Sequence, residues 1–309
     1  MFTYFEATFF ENTFTKLTDS DYVSFSLVSK DGYLTNAGVL LADQNIYRHN
    51  RIFCTRWNGL NKTSLEEASD DDEYSGGIVK LLDSALNFVK KNTKKKWKKI
   101  ATGRVEMPEY DEIAIREVIV NAIIHRQYTN VGSEVTIDIY DDRIVVTSPG
   151  PMPSGELINK ELKNNVPSIR RNPILADIFA RMKFMDRRGS GFDKIVNGTS
   201  RLFNDNKKHV EFYATETHFS VVIYNANYNN VENGVTNGVI NDVINGALNE
   251  NEKIVYGAMK ANPQITIAEI VQKARISRRT VERIIARLKE KELIERSGAN
   301  KGGYWKVSE

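Results

Sequence analysis

Only one cysteine, Cys54, stands among the 309 residues. That excludes a disulfide framework and any zinc site built on cysteine pairs. The four histidines, His49, His125, His209 and His218, are too scattered for metal-ligand spacing. No apolar run approaches the roughly 18 residues a membrane helix needs. The opening Met1-Phe2-Thr3-Tyr4-Phe5-Glu6 lacks the basic-then-apolar layout of a signal peptide. The expectation is a cytoplasmic protein with no membrane partner. No Gly-x-x-x-x-Gly-Lys-[Ser/Thr] occurs, so there is no P-loop on which a helicase motor could cradle phosphates. An excess of one charge is missing too: 43 Lys+Arg against 40 Asp+Glu leave +3, too balanced to name a partner. A nucleic-acid signal must therefore be local.

What is present is ordinary globular composition, 41% hydrophobic and 27% charged, in a length that suits two or three domains. The sharpest break is the Asn-rich stretch 226–248, with the repeat Asn-Gly-Val-Thr, Asn-Gly-Val-Ile, Asn-Asp-Val-Ile, Asn-Gly-Ala-Leu over 233–248. Asn and Gly are poor helix formers, which favours a tether, while the period of four also permits a loose amphipathic helix. A weaker seam lies near 90–110, where Lys90, Lys91, Lys94, Lys95, Lys96, Lys98 and Lys99 follow a helical stretch 76–91. This run reads as a solvated helix end, with a phosphate contact as the alternative and neutralisation by Asp70 to Glu73 as a third outcome. The expected division is 1–105, 106–225, 226–248 and 249–309. Within the first segment Tyr22 to Val28 alternates like a strand, Leu34 to Leu41 looks helical, Ile52 to Arg56 looks like a strand, and Cys54 reads as core.

The informative segment is 111–128. As a helix it is apolar over most of its circumference, through Ile113, Ile115, Val118, Ile119, Val120, Ile123 and Ile124, so it should be buried. Yet Glu117, Asn121 and His125 fall at i, i+4 and i+8 and share one side. A buried carboxylate, amide and imidazole are costly unless satisfied. Either they bond neighbouring backbone or they face a polar cavity. Two strands follow, Val135 to Tyr140 and Arg143 to Thr147, then the tight Ser148-Pro149-Gly150-Pro151-Met152-Pro153 loop and a polar, loop-like 154–171. Asn172-Pro173 opens a helix, and Gly189-Ser190-Gly191 enters another, whose free N–H groups suit an anion. Val210 to Thr215 and His218 to Tyr224 close the unit as strands.

This order resembles the GHKL ATP-binding fold, an α+β sandwich of α/β class. Glu117 and Asn121 match its Glu-x-x-x-Asn helix, Gly189 and Gly191 its later Gly-x-Gly, and Thr217-His218-Phe219 its closing Thr-x-Phe. More narrowly, 34–224 is similar to the module of bacterial transcriptional regulators often labelled "RecG-like". The shared landmarks include Leu34 to Leu41, Arg116-Glu117, Asn121-Ala122, His125-Arg126, Asp142-Arg143, Ser148-Pro149-Gly150 and Arg171-Asn172-Pro173. The resemblance implies ATP or a related nucleotide as ligand, with magnesium held by Asn121 and water oriented or deprotonated by Glu117. It implies phosphate contacts from Gly189, Ser190 and Gly191, with His125 and Arg126 near the same charge, although Arg126 equally suits a carboxylate pair. It also implies, for many relatives, a Schlafen/AlbA-type domain before Leu34, for which 1–33 are too few.

Two departures shape the expectation. Ser148 stands where the family has an aspartate for adenine, and Met152 where it has a second glycine; Gly150 remains. Loss of a charge-assisted acceptor weakens adenine discrimination by roughly 1–2 kcal/mol. The long Gly-rich lid is also missing between 154 and 188. The expectation is therefore nucleotide sensing with little or no turnover, against the alternatives of a slow ATPase in DNA processing or defence and a degenerate pocket serving as a dimer scaffold.

Residues 249–309 carry 13 Lys+Arg against 8 Asp+Glu. Glu252 to Ala261, Ile267 to Ala274 and Arg278 to Glu292 read as three helices, followed by short strands at 293–296 and 304–307. That is the order and charge of a winged helix-turn-helix. Its third helix offers Ser277 as cap and Arg278, Arg279, Thr280 and Arg283 to base edges of double-stranded DNA, with Lys301 at the wing tip. Such modules commonly pair to match two half-sites, so a homodimeric regulator is expected.

Overall fold

The first three helix starts of this chain are set by short polar side chains. In the computed structural model the Asp43 carboxylate accepts the N–H groups of Thr3 and Tyr4 at 2.7 and 3.0 Å, capping α1 (Thr3–Thr13). Thr18 and Asp21 form a reciprocal capping box that starts α2 (Asp19–Ser24). This corrects the strand expected from Tyr22: the cap overrides the alternation, and Val28 makes only an isolated bridge to Leu34. Thr35 caps α3 (Asn36–Leu41) by accepting from Gly38 at 3.1 Å. The structure describes residues 1–62, 68–100, 103–160, 169–186, 189–203, 208–228, 250–274, 276–290, 293–297 and 304–307. They fall into two units, Met1–Val231 and Glu232–Glu309.

The first unit is a mixed α/β sandwich. Its strands β1 (Arg51–Arg56) and β2 (Asp70–Ser75) precede α4 (Ile78–Asn92), and a two-stranded ribbon, β3 (Lys95–Ile100) with β4 (Gly103–Pro108), precedes α5 (Glu112–Ile124). Next come β5 (Val135–Ile139), β6 (Arg143–Pro149), β7 (Ile158–Lys160), α6 (Pro173–Arg181), α7 (Gly191–Ser200), β8 (Val210–Ala214) and β9 (His218–Tyr224). Seven of these strands form one sheet in the order β2-β1-β5-β6-β9-β8-β7. All pairs are antiparallel except β1 with β5, where Ile52 lies opposite Val135. Helix α4 lies on β1 and β2, α5 on β6 and α7 on β8, with α5 touching both other helices.

The packing follows from pattern. Ile78, Leu81, Leu82, Ala85, Phe88 and Val89 recur at helical spacing and make the buried stripe of α4. Complete burial of one such side chain contributes about 1.5–3 kcal/mol. Phe5, Phe88, Ile119 and Ile144 share a single core. Segments 1–105 and 106–225 are therefore joined: β1 completes the sheet alongside β5, and the weak seam falls inside one unit. The lysine run is divided rather than continuous. Lys90 and Lys91 end α4, where Lys91 meets Asp70 at 2.9 Å, Lys94 lies in the link, and the other four enter β3. The 154–171 stretch is not all loop, since β7 pairs with β8.

The second unit has three helices, Glu250–Ala261, Ile267–Ala274 and Arg278–Glu290, and an antiparallel pair, Ile294–Ser297 with Tyr304–Val307. Thr266 and Glu269 exchange a capping box at 2.7 and 3.3 Å. Val255, Met259, Ile270, Val281, Leu288 and Trp305 make its core, and the Trp305 indole N–H donates to Ile265 O at 3.0 Å. This is the expected winged helix-turn-helix. Of the expected tether, 229–248 lies outside the described residues. Its first residues pack on the sandwich, with the Ala226 N–H donating to Glu109 O at 2.9 Å.

Candidate functional site

The polar stripe of α5 forms because Asp111, accepting the Ala114 N–H at 2.8 Å, sets the helix phase, and the apolar positions then turn inward. Glu117 is only 6% exposed. One of its oxygens lies 3.4 Å from the Asn121 amide nitrogen, and the other lies 3.9 Å from Lys194 Nζ. Lys194, one turn into α7, also meets Asp186 at 2.5 Å. Burial pushes the Glu117 carboxyl above its ordinary value, with Lys194 pulling the other way. His125 closes the helix, and burial, reinforced by Arg171 and Arg170, pushes its imidazole down to about 4. It is neutral at pH 7, and its Nδ1 is buried without a hydrogen-bond partner.

Two turns face this stripe. At the end of β6, Gly150 has φ +108, and a β-carbon there would lie 2.8 Å from Gln127 Cβ, so only glycine fits. Its N–H donates to Thr217 O at 2.7 Å, and Arg171 donates to the neighbouring Pro151 carbonyl. On the other side Gly191 begins α7. A β-carbon on it would lie 2.7 Å from Glu117 Oε1 and 3.2 Å from Asn121 Nδ2. The absent side chain is what lets the α7 amides approach the α5 stripe. Between them lies a cleft floored by Phe192, Phe219 and Met152.

The cleft brings together Glu117, Asn121, His125, Ser148, Gly150, Gly189 and Gly191. Two of the expected site residues stand apart from it. Arg126 is a structural arginine: it is 1% exposed, donates to His49 O at 2.7 Å and Ser133 O at 3.1 Å, and lies over the Tyr128 ring. Both bonds come from the same terminal nitrogen of the buried guanidinium, and the side chain does not line the cleft, so the structure gives it a place in the packing beneath the site. The Ser190 hydroxyl turns to Asp186 at 3.4 Å. Ser148 lines the cleft, but its hydroxyl proton is committed to Ala122 O at 2.7 Å, leaving it only an acceptor there. Asp186 and Lys194 were missed. A lysine one helical turn beyond Gly191 was a readable signal for a cation near the same pocket.

In the second unit Ser277 caps the third helix through the Thr280 N–H at 3.2 Å. Arg278, Arg279 and Arg283 are exposed on it, with Arg278 held to Glu282 at 2.9 Å. Lys301 lies outside the described residues.

Fold and site together define a two-module protein, a GHKL-like sandwich and a winged helix. Residues 132–223 match the family described as "Putative ATP-dependent DNA helicase recG C-terminal". Residues 248–295 match the family described as "Winged helix-turn-helix DNA-binding". Among solved structures, that of the DIP2311 protein from Corynebacterium diphtheriae superposes with a TM-score of 0.57 at 18% identity, over 98% of this chain. The chain spans 60% of the length of that protein, and at such identity the likeness is one of fold. No curated protein matches. No helix among the described residues is long and apolar enough to cross a membrane.

Proposed function

We propose that the chain is a DNA-binding regulator of transcription, acting as a homodimer in the cytoplasm, whose α5–α7 cleft senses a magnesium-bound nucleotide. The observation that carries this reading is the convergence of the Glu117, Asn121 and His125 stripe on the glycine that opens α7. Nucleotide chemistry fits that set. The Gly189 and Gly191 amides with Lys194 suit phosphate oxygens, and the unpartnered His125 Nδ1 supplies a further contact. Among the described residues no three His, Cys, Asp or Glu side chains cluster as a metal site. A magnesium ion here would take the Asn121 amide oxygen and share phosphate oxygens, as this hard cation prefers. When bound, it would neutralise phosphate charge. Ser148 supports sensing without strict base selection, because it presents a neutral acceptor where a carboxylate would discriminate better.

A thermal-shift series with ATP, ADP, GTP and magnesium tests the reading. Stabilisation by a magnesium nucleotide, lost in Asn121→Ala, is the expected result; no shift with any of them refutes it. A second reading, slow hydrolysis, is favoured by burial of the Glu117 carboxyl, since a raised basicity suits a water-activating base. Phosphate release that depends on Glu117 and rises with DNA would favour it over sensing.

A further inference from the structure

The lysine run that the sandwich does not absorb forms a device of its own. Among the described residues strands β3 and β4 pair only with each other, over six residues or about 20 Å. The ribbon is exposed on both faces, with Trp97 at 57%, Val105 at 46% and Met107 at 39%. A two-stranded hairpin with no buried face is marginal in water. This one is stapled at its base, where the Lys94 N–H meets a Glu109 carboxylate oxygen at 2.8 Å and the Asn227 amide donates to Met107 O at 2.8 Å; the Lys95–Glu112 contact beside it is exposed on both sides and exchangeable. Strand alternation puts Lys95, Trp97 and Lys99 on one face, and the register sets Lys99 directly opposite Arg104. Like charges in that relation oppose pairing. An anion lying between them removes the conflict. The Arg104–Glu106 contact at 2.9 Å is exposed on both sides and easily exchanged for another anion.

We propose that the β3–β4 ribbon is a second DNA-binding element, gripping the backbone of duplex DNA with Lys95, Lys99 and Arg104 while Trp97 lies against the sugar-phosphate wall of the groove. A two-stranded ribbon fits a major groove about 12 Å wide. Charge complementarity selects a polyanion, and duplex DNA is the polyanion for which the same chain carries a winged helix. The inference does not depend on the nucleotide cleft.

The test uses the full chain with Arg278, Arg279 and Arg283 changed to Ala, which silences the winged-helix contact, and a labelled mixed-sequence duplex followed by anisotropy across salt. Adding Lys95→Gln, Lys99→Gln and Arg104→Gln removes three phosphate contacts. The affinity lost on raising salt from about 50 to about 200 mM should then shrink by about 40-fold, from a slope change of about 2.7. Equal salt slopes with and without the ribbon changes overturn the proposal. Lys99→Glu guards against misfolding: it should pair with Arg104 and preserve the ribbon, yet weaken binding. Trp97 supplies a direct readout, because Trp57 and Trp305 are each only 6% exposed. Duplex DNA should quench Trp97 emission, an effect absent from Trp97→Phe. Emission unmoved by duplex, or moved only by anionic phospholipid vesicles, refutes DNA as the occupant.

Discussion

Gly191→Ala is the sharpest perturbation of the cleft. The new β-carbon would sit 2.7 Å from one Glu117 oxygen, well inside contact distance, and 3.2 Å from the Asn121 nitrogen. Both are side-chain ends, and the glycine is not at positive φ, so no backbone strain is added. Two opposed terms set stability. Stiffening the unfolded chain gains about 0.4–1 kcal/mol, while overpacking costs about 1–3 kcal/mol when neighbours cannot yield. Because the carboxylate can swing into the cleft, the two should nearly cancel. The melting temperature should stay within about 4 °C of wild type, at about 2–4 °C per kcal/mol for a domain this large. The displaced carboxylate and the methyl group occupy the space in which phosphate oxygens would meet the α7 amides. Magnesium-nucleotide affinity should therefore fall at least about tenfold, or about 1.4 kcal/mol. Calorimetric melting and isothermal titration on the same sample read both quantities. Wild-type affinity in a folded Gly191→Ala protein would refute the placement of ligand between α5 and α7.

His125 predicts a pH signature. Its folded value of about 4 lies below the ordinary 6.5, so on acidification the unfolded chain protonates first. Stability tied to this residue is present above pH 6.5 and lost down to about pH 4, about 3 kcal/mol in full; the urea-derived difference between wild type and His125→Asn should follow that curve. Asp142 and Arg143 are each 1% exposed and 2.8 Å apart. Asp142→Asn strands the buried guanidinium, and urea denaturation should show a loss of about 3–5 kcal/mol. In the winged helix, Arg279→Ala should cost about 1–3 kcal/mol at a specific site and less on random duplex, measured by competition anisotropy.

Strong periodicity was legible. The stripe of α4, the alternation of β5 and the three C-terminal helices all follow from apolar spacing that tertiary packing reinforces. The cleft was legible to the extent that it lies on one helix: Glu117, Asn121 and His125 share a side by geometry alone. What spacing could not show was which partner consumes a polar group. Arg126 looked like a ligand contact, but its partners are carbonyls of His49 and Ser133, one of them 77 residues away. Asp186 reaches the cleft from the turn before α7, which carries no periodic signal, and Lys194 approaches Glu117 from the first turn of α7. The β3–β4 ribbon was hidden for a related reason. Lysines at the end of a helix and lysines in an exposed strand have the same composition, and only pairing to Gly103–Pro108 separates them.

The parallel junction of β1 with β5 limits how this pocket could travel between proteins. The family match begins at residue 132, just before β5 and after α5. A piece severed there would leave behind the helix bearing the acid, amide and imidazole. It would also strip β5 of its flanking strand, baring a row of backbone groups that invites association between molecules. Transplanting the pocket into another host therefore means carrying the preceding hundred or so residues as part of the graft.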